Sequence, residues 1–129
     1  MNNNTENKNI LYDIYIFTKY NETLKKRYLV FRIETVQEFE NYRYDIEVNV
    51  FQKNNEIIFR MRGLKPAKVF LPGGGKAKFE KEFEELQGNY KIEIIGINKK
   101  VNNFEINIHG DLVKIISIPK ETFINIHIN

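Results

Sequence analysis

The chain has 129 residues, 42% of them hydrophobic, 13% aromatic and 29% charged, with a net charge of +3. One domain of this length buries roughly two-thirds of its unfolded surface, which excludes a disordered or fibrous chain and removes the need for covalent staples. The absence of cysteine excludes disulfides, thiolate zinc sites and cysteine nucleophiles.

Residues 1–9 are polar and rich in asparagine, so they are expected to form a disordered tail ahead of a domain spanning 10–129. They lack the apolar run of a signal peptide, and no later stretch reaches the ~20 apolar residues of a membrane helix. The expected location is the cytoplasm, with no membrane partner.

From Ile10 to Tyr20 the residues Tyr12, Ile14 and Ile16 alternate with Asp13, Tyr15 and Phe17, the period of a strand. Asn21-Glu22-Thr23 supplies a turn, and Lys26 to Thr35 forms the next strand. Val36 and Phe39, three apart among polar residues, suggest a helical turn within 35–41. Tyr42 to Gln52 alternates clearly through Tyr44, Ile46, Val48 and Val50, and Lys53-Asn54-Asn55 closes a hairpin into a strand from Glu56 to Arg62.

Gly63 to Lys78 holds Pro66, Pro72 and the run Gly73-Gly74-Gly75, and reads mostly as loop, with a short edge strand at Val69-Phe70-Leu71. Ala77 to Leu86 follows as a strand, although Glu82, Glu84, Glu85 and Leu86 are also good helix formers.

Gly88 lets the chain turn sharply, and Tyr90, Ile92 and Ile94 then alternate with Lys91, Glu93 and Ile95. Leu86-x-Gly88-x-Tyr90-x-Ile92 resembles the Asp-x-Gly-x-Tyr-x-Cys corner of immunoglobulin-like domains and, more loosely, that of fibronectin type III domains. Leu86 stands at the Asp position, Ile92 at that of the bridging Cys, and the chain has no Trp. The resemblance implies a sandwich held by apolar packing, with Leu86, Gly88 and Tyr90 as its structural corner, and it implies no activity. Tyr90 as an ordinary core residue is the preferred reading.

Residues 98–102 form a hairpin loop into Phe104 to Ile108, with Phe104, Ile106 and Ile108 inward, and Gly110-Asp111 makes the next turn. Leu112 to Ile118 is almost continuously apolar and therefore expected to be covered on both faces, and Thr122 to Asn129 is a half-buried last strand. Eight to ten short strands predict an all-β fold, a two-sheet antiparallel Greek-key sandwich of immunoglobulin-like type.

Catalytic material is sparse. Ser117 is the only serine and lies in an apolar strand, while His109 and His127 are the only histidines, so a Ser-His-acid triad has almost no components. His109, His127 and Asp111 could meet at a metal if their strands were neighbours, but the spacing carries no signature and solvated histidines are the simpler reading. Asp45 and Glu47 share a strand face, about 6 to 7 Å apart, as glycosidase carboxylates do, yet acids alternating with apolar residues also describe any half-exposed strand. Gly73-Gly74-Gly75-Lys76 fails the phosphate-loop pattern, which needs Gly where Phe70 stands and Ser or Thr where Ala77 stands.

From Ile57 to Phe79 there is no acidic residue. Arg60, Arg62, Lys65, Lys68, Phe70, Gly74, Lys76 and Lys78 make this segment the candidate ligand-binding region for an anionic partner, with a solvated basic loop as the alternative. The functional expectation is a non-enzymatic module without cofactor or metal, acting by protein contact or self-association at loops or a sheet edge. Polyanion or nucleic-acid binding by 60–78 is the second reading, and a glycan-active sandwich the third.

Overall fold

The computed structural model describes residues 10–67, 73–120 and 122–128. It contains nine strands: β1 (Tyr12–Asn21), β2 (Lys26–Phe39), β3 (Tyr44–Lys53), β4 (Glu56–Pro66), β5 (Gly75–Glu84), β6 (Gly88–Ile95), β7 (Val101–His109), β8 (Leu112–Ser117) and β9 (Ile124–Ile128). No helix occurs among the described residues, so the domain is all-β as its alternating patterns predict.

Hydrogen bonding joins the strands into one sheet, in the order β8-β7-β6-β4-β3-β5-β2-β1-β9, curled into a nearly closed barrel. This differs from the expectation of two separate antiparallel sheets in two respects. The halves β8-β7-β6-β4-β3 and β5-β2-β1-β9 are linked by a bridge at the single register pair Asp45↔Lys78. In addition, β1 runs parallel to β9, β4 to β6 and β3 to β5, because successive strands often cross to the opposite half before returning.

Period-2 alternation puts one side of each strand into a common interior. Ile14 and Ile16 of β1, Phe31 and Ile33 of β2, Ile57 and Phe59 of β4, Ile92 and Ile94 of β6, and Ile106 of β7 are almost fully buried. Phe31 and Phe59 come from opposite halves and meet with ring centroids 5.0 Å apart, and Phe83 stands edge-on to both at 5.7 and 6.2 Å. This aromatic centre ties the halves together where hydrogen bonds hardly do.

Three segments depart from the sequence reading. Residues 35–39 are not a helical turn: β2 continues to Phe39 through a register shift between Glu34 and Glu38. The buried Thr35 hydroxyl spans this irregularity, donating to the Gln37 carbonyl at 2.8 Å and accepting from the Ala77 N–H at 2.9 Å, which replaces the lost ladder bonds. The loop assigned to 63–78 is shorter, since β4 runs to Pro66 and β5 starts at Gly75. Most importantly, β8 is not covered on both faces. Only Val113 is buried, whereas Leu112 is 63%, Ile116 51% and Ile118 66% exposed, because β8 lies at the border of the sheet.

At the Leu86–Tyr90 corner, Gly88 has φ 99° and Tyr90 is buried in the core. Here Gln87 pairs with the β7–β8 turn as a peptide group would: its Oε1 accepts from the Gly110 N–H at 2.9 Å and its Nε2 donates to the Gly110 carbonyl at 3.3 Å.

Candidate functional site

β3 and β5 run parallel, meet at Asp45 and Lys78, and then diverge. The divergence opens a cleft of about 520 Å³ with Ile46 and Phe79 at its base. Its walls are charged: Asp45 from β3, Lys65 from β4, Lys78 and Glu80 from β5, and Arg32 from β2.

Strand register explains the grouping. Asp45 is opposite Lys65 on one side and Lys78 on the other. Glu80 is opposite Arg32, whose Nε donates to Glu80 Oε1 at 3.0 Å and whose guanidinium also lies 5.3 Å from the centre of the Phe17 ring. Among the described residues, Lys65 and Lys78 have no ion-pair partner. Counting side chains, the cleft presents three cations and two carboxylates.

Of the eight predicted ligand-binding residues, Lys65 and Lys78 are thus brought together. Arg60 and Arg62 are exposed on β4, with Arg60 opposite Asn49 and Ile95. Lys76 is opposite Glu38, across the irregular part of β2. Gly74 has a packing role, since a Cβ there would collide with the Phe39 carbonyl. Lys68 and Phe70, with the predicted edge strand at 69–71, lie outside the described residues. The acid-free run of sequence does not make an acid-free surface, because Asp45, Glu34 and Glu38 reach it from neighbouring strands.

The remaining candidates are dispersed. Asp45 lines the cleft, whereas Glu47 is exposed opposite Gly63 at an irregularity in the β3–β4 ladder. His127 stacks on Tyr15 with centroids 4.6 Å apart and hydrogen-bonds Asp13 at 2.9 Å, while Asp111 pairs with Arg27. No group of three His, Asp or Glu side chains among the described residues is arranged to hold a metal. Ser117 lies beside a smaller groove of about 360 Å³ on the outer face of β4, β6 and β7, with Glu56, Lys91, Glu93 and Glu105.

Sequence reasoning missed Arg32 and Glu80. Each sits on the polar phase of its strand, and only the β2–β5 register places them at the cleft.

The other border of the sheet is apolar. Among the described residues, β8 is bonded to β7 alone. Leu112, Ile116 and Ile118 are exposed, Ile115 is 36% exposed, and Lys114 is the strand's single charge. Comparison of the chain with protein-family models, curated proteins and solved structures finds no match.

Proposed function

We propose that the protein is a non-enzymatic interaction module that associates with a second copy of itself through the edge of β8. The observation that carries this reading is the exposure of Leu112, Ile116 and Ile118 on a border strand. Unpaired strand edges readily add another strand, and proteins blunt those they do not use with charges or bulges. β8 carries one charge, Lys114, and one irregularity in its ladder with β7, at Ile116, which leaves the stretch from Leu112 to Ile115 regular.

Self-pairing suits this sequence. In an antiparallel two-fold pairing centred on Ile115, Leu112 faces Ile118 and Lys114 faces Ile116. Apolar residues then meet each other and the two Lys114 side chains avoid direct opposition. Such a contact extends one half of the barrel across the dimer. The immunoglobulin-like, Greek-key description belongs to the same proposal, supported by the single bridge between the halves and by the corner at Gly88. The cytoplasm is the proposed compartment, since a cysteine-free chain needs no oxidising environment.

Polyanion binding by 60–78 has weaker support, as register places Asp45 beside Lys65 and Lys78 and Glu38 beside Lys76. The test is sedimentation equilibrium of the full chain. A dimer is expected, converted to monomer by Leu112→Lys combined with Ile116→Lys. These positions are exposed, so the circular dichroism spectrum should be retained. A wild-type monomer throughout the micromolar range, or a double variant that stays dimeric, overturns the proposal.

A further inference from the structure

The geometry points to the β3–β5 cleft as a binding site for a small acidic saccharide, a sugar ring bearing one carboxylate. The volume of about 520 Å³ suits one or two sugar rings. It opens where the sheet is held by one bridge, so backbone there is not committed to a continuous ladder.

The chemistry of the walls selects the ligand. Arg32 and Glu80 neutralise each other at 3.0 Å. That leaves Lys65 and Lys78 on either side of one carboxylate, Asp45, with Glu34 of β2 opposite Lys78, and neither ammonium group has an ion-pair partner among the described residues. A multiply charged anion would meet repulsion from both Asp45 and Glu80. A single carboxylate satisfies the two ammonium groups and leaves the Asp45 and Glu80 oxygens to accept hydrogen bonds from hydroxyls. The half-buried Phe79 at the base offers an apolar surface for the C–H face of a sugar ring. The groove beside Ser117 has three glutamates to one lysine and suits a carboxylate ligand less well.

The experiment is titration of ¹⁵N-labelled protein with sodium glucuronate, glucose and inorganic phosphate in separate arms, followed by amide chemical shifts. Glucuronate is expected to give saturable shifts at Asp45, Lys65, Lys78 and Phe79, with at least tenfold weaker binding of glucose. Lys65→Ala combined with Lys78→Ala should weaken glucuronate binding at least tenfold, and both residues are exposed, so the spectrum should otherwise persist. Asp45→Asn separates a saccharide site from a plain anion site: it removes a charge that opposes both anions but also turns one of two hydroxyl-accepting oxygens into a donor, so the ratio of glucuronate to phosphate affinity should fall. No saturable shift at these amides with glucuronate, equal binding of glucose or phosphate by the wild type, or an unchanged or higher ratio of glucuronate to phosphate affinity in Asp45→Asn overturns the inference.

Discussion

Between β3 and β5 the sheet holds through one bridge and opens a cleft walled by Arg32, Lys65, Lys78, Asp45 and Glu80; between β8 and β9 it stops short of closure, and the strand on that border exposes leucine and isoleucine. The two interruptions differ in chemistry and in what holds them. At the first, the buried hydroxyl of Thr35 carries the Ala77 N–H beside the seam. At the second, side chains fasten both ends. The buried Asn102 of β7 accepts from the Phe123 N–H at 2.9 Å and from the Thr122 hydroxyl at 3.0 Å, and the Phe123 carbonyl accepts from the Leu11 N–H at 2.8 Å. At the other end Arg27 pairs with Asp111, and the Thr18 hydroxyl donates to the Asp111 carbonyl at 3.3 Å. A charged, solvated seam resists invasion by an apolar strand. The β8 border does the reverse, as its residues gain from losing water while its outer edge has no strand partner among the described residues.

The comparison breaks most sharply at Asn102. Asn102→Ala leaves the buried Phe123 N–H without its acceptor and frees the start of β9, and it should cost about 3 kcal/mol in urea unfolding. Faster amide exchange is expected at Phe123 and Ile124, with little change at the seam residues Ala77 and Lys78. Uniform acceleration across both interruptions would show that they are not held separately.

Thr35→Val is the matching change at the seam. It keeps shape and strands the buried Ala77 N–H, so a loss of about 2 kcal/mol is expected. Here the exchange effect should fall on β5, and affinity for glucuronate should drop with it. Gln87→Leu comes next. It removes the two bonds to Gly110, yet both ends are solvent-accessible, and about 1 kcal/mol is the expected cost in the same unfolding measurement. A loss above that of Thr35→Val would mean that the β5–β6 corner, and not the seam, anchors the halves.

What the sequence made legible was local period. Tyr12-Ile14-Ile16, Tyr90-Ile92-Ile94 and Phe104-Ile106-Ile108 all point into the core, and the turns at Asn54 and Gly110 fall where their residue types suggest. Alternation says which side of a strand is apolar and nothing about its neighbour. Hence the parallel partners of β1, β3 and β4 were hidden, as were Arg32 and Glu80 at the cleft, which arrive by register. β8 shows the same limit from another side. A run apolar on both phases fits a strand covered twice and equally a border strand awaiting a partner, and only its position in the sheet separates the two. At 35–39 the three-residue spacing of Val36 and Phe39 imitated a helix, because an irregularity in a strand shifts its phase.

The smallest expected effect concerns pH. Tyr12 packs edge-on against Phe123, with centroids 6.3 Å apart beside the Asn102 clamp, and burial raises its hydroxyl pKa above the usual range. In the unfolded chain this tyrosine ionises at about pH 10. The folded form holds its proton longer, so as pH rises through and beyond that value the unfolded state binds fewer protons and stability falls. Lys19 and Lys26 act in the same sense, since hydrogen bonds and attraction to Glu82 and Glu84 raise their pKa values in the fold. Both pairs lie on the surface, where water screens them, so the buried phenol should dominate. Tyr12→Phe should therefore flatten the decline in urea midpoint between pH 9 and 11 while leaving the neutral-pH midpoint nearly unchanged, and Lys19→Met with Lys26→Met should flatten it less. Identical alkaline slopes in Tyr12→Phe and the wild type would show that the ring beside the apolar border keeps its hydroxyl in water, and that this side of the barrel is more open than the seam.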